Sequence, residues 1–267
     1  MVLTNKKKAR MKEINYYEKA KEYLLSFDEI TPEILDEYTL EDAWRNRKPD
    51  NINKLFKSLL HHAKNRQQMP NSIGEIEELS TILFEFNYQE IINKYSDWED
   101  VFDAIIESDY TPPGIMDKTN RRNLWVSYCK SIMSISKFIS KYKDLKDFQK
   151  FIDGFLTNEY SKLALPLLLQ AELHGFGFAL SCDFIKESVS PQFVKPDVYI
   201  NWFALKLGIT QSENDYQIFK DMEQYCSEID ELPYAVDKIF WLVGSGNFHL
   251  HNIKINCSKE KFITSIE

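Results

Sequence analysis

The chain has 267 residues, 43% of them apolar, with 8 Gly and 9 Pro, which provides for one large or two small cores and excludes disordered, collagenous and low-complexity readings. Lys and Arg number 33 against 41 Asp and Glu, and the resulting net charge of −8 argues at first against a nucleic-acid partner. No apolar run approaches the ~20 residues of a membrane-spanning helix, and residues 1–20 carry charges where a secretory signal is apolar. A soluble, cytoplasmic protein without membrane association is expected. Cys129, Cys182, Cys226 and Cys257 are scattered without CxxC spacing, so neither a disulfide framework nor a zinc or iron–sulfur site is suggested.

The acidity is unevenly spread. Residues 1–117 hold 15 basic and 23 acidic side chains, whereas residues 118–267 hold 18 of each. Within the second half, residues 118–162 carry 10 basic and 4 acidic side chains, including Lys118, Arg121, Arg122, Lys141, Lys143 and Lys146. This stretch reads either as a phosphate-facing surface or as a lysine-decorated solvated helix face.

In chain order, residues 8–26 space their apolar residues as an amphipathic helix, and Thr31-Pro32 before EILDEY has the form of an N-cap with Pro at the first helical position. Residues 51–64 put Ile52, Leu55, Phe56, Leu59 and Leu60 on one stripe. MPNSIG (69–74) breaks that pattern before IEELSTILFEF begins another helix. Asp97 to Asp100 before VFDAII predicts one more short helix. YTPPG (110–114) is the strongest interruption in the chain, and it suggests an acidic N-terminal helical region over 1–115 and a second helical domain over 116–267. A long helix over 123–142 and a shorter one over 145–156, with Phe148, Phe151, Ile152 and Phe155 on one face, complete an all-α expectation of about ten to twelve helices; a short strand or two stays open.

Residues 161–187 form an apolar helix, the break His174-Gly175-Phe176-Gly177, and a second apolar helix. The glycines allow a tight turn and leave amides open at the start of the second helix, where the macrodipole favours an anion such as a DNA phosphate. An ordinary corner between two helices uses the same residues. Further on, Lys195-Pro196-Asp197 opens a helix that Gly208 ends, with Asp197 in its positive end. There a carboxylate either caps the helix or serves, ionised, to stabilise developing positive charge or orient a water.

These features resemble the helix–hairpin–helix (HhH-GPD) DNA glycosylase superfamily. The hairpin Gly175-Phe176-Gly177, the 22 residues from Gly175 to Asp197, and the segment from Pro233 to Gly244, similar to the family's closing helix, carry the resemblance over about residues 120–248. It implies a two-lobed helical fold, a monomer acting on double-stranded DNA with a damaged or modified base, and a nucleoid-associated location. Such an enzyme flips a base out of the duplex and hydrolyses its N-glycosidic bond, with Asp197 stabilising the oxocarbenium-like sugar. The bifunctional branch carries a lysine four positions after the first hairpin glycine. Here that position is Ala179, which implies a monofunctional enzyme without strand-nicking activity. The chain departs from the family's pattern at His174, in place of the proline before the first hairpin glycine, and at Tyr199, where histidine is common.

The resemblance makes His174, Gly175, Phe176, Gly177 and Lys195 candidate DNA contacts. It also makes Asn65 or Gln67 the candidate filler of the gap left by a flipped base, although surface polarity explains both. Trp202, Trp241 and Tyr199 are the candidate base pocket, with Phe203 and Phe248 nearby in sequence; aromatics at such spacing also build cores. No organic cofactor and no iron–sulfur cluster are expected, with room for a monovalent cation at the hairpin. His61-His62 and His249/His251 lack a carboxylate or cysteine at ligand spacing, so no metal is assigned. The DNA-facing surface is expected to come mainly from the second half of the chain.

Overall fold

Most α-helices of the computed structural model, which describes residues 15–66 and 69–266, start at a polar side chain that fastens their first free amides, while those beginning at Glu41, Phe178 and Pro233 have no side-chain cap. Asn15 caps α1 (Tyr16–Leu25), and Thr31 caps α2 (Pro32–Thr39), with Pro32 at the first position as the sequence indicates. Residues 8–14 of the predicted first helix lie outside the described residues. After α3 (Glu41–Arg47), Asn51 caps α4 (Ile52–Lys64), and the stripe Leu55, Phe56, Leu59 and Leu60 is fully buried. The MPNSIG break is itself a short helix, α5 (Met69–Ile73).

The segment 76–86, expected as a helix, is instead two 3₁₀ turns, Ile76–Leu79 and Phe84–Phe86, with positive φ at Phe84, Glu85 and Phe86. The carbonyls that a helix would use internally are engaged elsewhere: Ser80 O accepts from Glu85 N at 2.8 Å, and Ile82 O accepts from Tyr95 Oη at 2.9 Å. The apolar residues of the expected helix still reach the core, with Ile76, Leu79 and Leu83 fully buried.

Asn87 and Asp97 cap α6 (Tyr88–Lys94) and α7 (Trp98–Glu107). Asn123 caps the long α8 (Leu124–Ile139), and Asp144 and Asn158 cap α9 (Leu145–Phe155) and α10 (Glu159–Glu172). Then follow α11 (Phe178–Ser188), α12 (Val198–Lys206), α13 (Asp215–Glu228) and α14 (Pro233–Ser245). A two-stranded antiparallel ribbon, β1 (Asn247–Phe248) with β2 (Ile253–Lys254), precedes α15 (Lys259–Ile266). The fold is therefore almost entirely helical. The fifteen α-helices among the described residues exceed the ten to twelve expected because pieces such as α3 and α5 are too short to show a period. Gly208 (φ 74) follows α12 as predicted, but α14 runs through Gly244 and stops at Gly246 in the left-handed region.

The chain divides into two compact units at places other than the expected boundary at 115/116. Unit 1 comprises residues 1–48 and 190–267, and unit 2 comprises residues 49–189. The YTPPG segment lies inside unit 2 and is braced there, with Tyr110 Oη donating to Ile73 O at 3.0 Å. In unit 1, α14 is the central helix and packs against α1, α2, α12, α13 and α15, burying Tyr234, Val236, Ile239, Phe240, Leu242 and Val243. In unit 2, α8 is central and packs against α4, α5, α6 and α7, while α11 packs against α4 and α10. Unit 2 carries 16 basic and 20 acidic side chains and unit 1 carries 17 and 21, so the net charge is −4 in each. The acidity concentrated in the first half of the sequence is thus shared evenly by the folded units.

Candidate functional site

The hairpin belongs to unit 2 and is fastened by one stripe of α8. His174 N–H donates to Ser134 Oγ at 2.9 Å, Ser131 Oγ donates to His174 O at 2.9 Å, and Ser127 Oγ lies 3.4 Å from His174 Nε2. Residues 127, 131 and 134 are spaced i, i+4, i+7 and share one face of the helix, which is why three small hydroxyls meet one turn. Gly175 takes a φ of 84°, and a Cβ there would sit 2.9 Å from Ser131 Oγ and 3.0 Å from Arg66 Nη1. Both its backbone angle and its crowding require glycine.

Arg66, just beyond the end of α4, donates to Ser127 Oγ at 2.6 Å and so reaches the hairpin from a point 109 residues earlier in the chain. Its neighbours Asn65 and Gln67 are the residues expected to fill the gap left by a flipped base. Asn65 is the exposed C-cap of α4, and Gln67 lies outside the described residues. The signal that was available is the single arginine in HHAKNRQQMP.

Around the hairpin the charge is positive. Among the described residues neither Arg66 nor Lys130 is paired with a carboxylate; Lys130 Nζ stands 4.9 Å from the Trp98 ring centroid. Desolvation and these two cations hold the His174 imidazolium below the usual histidine range. The N-cap of α11, Gly177, offers no side chain to the first amides, and a Cβ there would meet nothing within 4 Å. Phe176 is buried in the core of unit 2, so its ring anchors the turn and only its main chain belongs to the surface. Ala179, in the first turn of α11, provides no amine.

Asp197 belongs to unit 1 and is the N-cap of α12. Its Oδ1 accepts from Tyr199 N at 2.9 Å and Ile200 N at 3.1 Å, while Oδ2 accepts no hydrogen bond among the described residues. The segment leading to it is pinned by acids of neighbouring helices: Val194 N donates to Glu223 at 3.2 Å, and Lys195 N to the buried Asp237 at 2.6 Å. The carboxylate is half-buried.

The three candidate pocket aromatics sit along α12 and α14. Tyr199 packs its ring on Gly244, where a Cβ would come within 2.3 Å of the ring, so Gly244 serves the approach of α12 rather than the end of α14. Trp202 is half-buried beneath Lys259 Nζ at 4.7 Å, and Trp241 meets the His249 ring edge-on at 5.9 Å. Phe203 and Phe248 are fully buried and belong to the core of unit 1. A cavity of about 440 Å³ between α1 and α15, lined by Lys19, Glu22 and Tyr23 among others, includes none of the predicted site residues. Among the described residues no cluster of three or more His, Cys, Asp or Glu side chains is placed to hold a metal ion, and no helix is long and apolar enough to cross a membrane.

Compared with family models, with curated proteins and with solved structures, the chain finds no match.

Proposed function

We propose that the protein is a monofunctional DNA glycosylase with an HhH-GPD-like fold, which holds double-stranded DNA through the His174–Gly177 hairpin and hydrolyses the N-glycosidic bond of an extruded damaged or modified base. The observation that carries this reading is the opening of α11: its first turn has no side-chain cap, and two cations without carboxylate partners, Arg66 and Lys130, stand at the hairpin before it. That combination suits a phosphate. Asp197 supplies the chemistry. Its Oδ1 is fixed by two amides, which orients Oδ2 toward stabilising an oxocarbenium-like sugar or aligning a water.

A second reading, a DNA-binding protein without catalysis, is favoured by one observation: capping α12 already accounts for Asp197 in full. Release of free base from a panel of lesion-bearing and hypermodified duplexes separates the two. Asn caps helices as well as Asp does, so Asp197→Asn keeps the fold and DNA binding while base release falls by about 10²-fold or more. Unchanged release in that variant ends the catalytic assignment. Binding without release from any duplex establishes the second reading, and the absence of DNA binding at low salt removes both.

A further inference from the structure

The helix that Asp197 caps is apolar on every side: in VYINWFALK only Asn201 and Lys206 are neither aliphatic nor aromatic. A helix of that kind is ordinarily sheathed by its own chain, and α12 is not. Ile200, Phe203 and Ala204 are fully buried, with Phe203 stacked on Phe240 of α14 at 5.2 Å, and Tyr199 lies against Gly244. On the remaining side Val198 is 76% and Leu205 38% exposed, and Trp202 is half-buried with Lys259 Nζ over its ring. Spaced i, i+4 and i+7, these three residues form one stripe along the helix.

The two ends of the stripe carry opposite charges. Asp197 stands at one, with its Oδ2 accepting no hydrogen bond, and Lys206 stands in the last turn, exposed and in no ion pair among the described residues. Turned end for end, this stripe matches itself. With a two-fold axis passing between Asn201 and Trp202, Asp197 faces Lys206 of the second copy, Val198 faces Leu205, and the two Trp202 rings meet beside the axis. The same antiparallel arrangement sets the positive end of each helix beside the negative end of the other. At 1.5 Å per residue α12 is about 13 Å long, so such a pair buries well under the ~800 Å² per partner of a standard interface, and the association is weak and reversible.

We propose that this face of α12 binds a second copy of the chain, antiparallel, in a reversible dimer that engages Asp197 and so competes with DNA. The self-association departs from the monomer that the resemblance implies and stands on the geometry of α12; only the competition rests on the glycosylase reading above. Sedimentation of the full chain from micromolar to millimolar concentration tests it. The weight-average mass rises from 31.6 kDa toward that of two chains. Val198→Ser and Lys206→Glu, both at exposed positions, keep the fold and raise the dissociation constant about tenfold or more, whereas Lys206→Arg retains the wild-type value. Mixed under mild oxidation, Val198→Cys and Leu205→Cys chains form a disulfide with each other, while neither variant alone cross-links beyond the wild-type level. A wild type that stays monomeric throughout, a dimer indifferent to both substitutions, or cross-links between like chains in place of the mixed pair overturns the proposal. Duplex DNA added at low salt converts the dimer to DNA-bound monomer. A duplex that binds the intact dimer removes the competition and leaves the self-association standing; failure to bind any duplex fells the glycosylase reading and also leaves the dimer in place.

Discussion

Two helix N-termini in this protein solve the same electrostatic problem in opposite ways. At α12 the positive end is filled from within: Asp197 sits at the N-cap and takes two amides on one oxygen. At α11 the N-cap is Gly177, which brings no side chain, and the charges nearby are the cations Arg66 and Lys130. A helix dipole attracts negative charge wherever it ends. The difference is whether the chain provides that charge or leaves the place for an outside anion. The first arrangement stabilises and orients an internal carboxylate, while the second forgoes a side-chain cap at a cost of only a few tenths of a kcal/mol, because glycine is itself a favoured N-cap residue, and leaves its first amides open.

Gly175→Val should break the hairpin half of this contrast with the largest effect. A β-branched residue at φ 84° is strained, and its Cβ would press on Ser131 Oγ and Arg66 Nη1. Together these cost roughly 2–4 kcal/mol in urea unfolding of the full chain; a loss below about 1 kcal/mol contradicts the geometry. A smaller change follows from Arg66→Ala. Removing one cation from the hairpin should lower duplex affinity several-fold and reduce the salt slope of binding by about 1, with the α12 turn unaffected. An unaltered slope means that Arg66 meets no phosphate.

The smallest effect concerns pH. Burial and the neighbouring cations hold the His174 imidazolium below the usual range, and burial does the same at His61, likewise in unit 2. A histidine whose folded pKa is depressed takes up its proton more readily when unfolded, so stability is lost as pH falls below the unfolded value of about 6.5. The melting temperature should decline between about pH 7 and pH 5.5, and His174→Gln should make the decline shallower. An equally steep decline in the variant contradicts a depressed His174.

What was legible in the sequence was mostly local. The stripe Leu55, Phe56, Leu59 and Leu60, the Thr31-Pro32 start of α2, the hairpin glycines and the stop at Gly208 all appear where residue spacing and capping chemistry put them. Residues 76–86 show the limit of periodicity. Their apolar spacing is helical and they are buried, but Tyr95 and the Ser80–Glu85 pair withdraw the carbonyls that a helix needs. Arg66 shows another limit: nothing in its local surroundings distinguishes a surface arginine from one bonded to Ser127 beside a turn 109 residues away. The boundaries of the units were equally hidden. The Pro/Gly-rich YTPPG stands out by composition yet is stapled into unit 2, whereas the divisions between the compact units at 48/49 and 189/190 carry one proline each, Pro49 and Pro191.

Whether the open start of α11 receives an anion is decided most directly by Gly177→Asp. The φ of −93° suits any residue, and a Cβ at this position has space, so the variant folds; its carboxylate then fills the N-terminus of α11 as Asp197 fills that of α12. Measured by anisotropy at fixed low salt against Gly177→Ala, Gly177→Asp should lose duplex affinity by about tenfold or more while its stability is unchanged or slightly raised. Equal affinity in the two variants would contradict it.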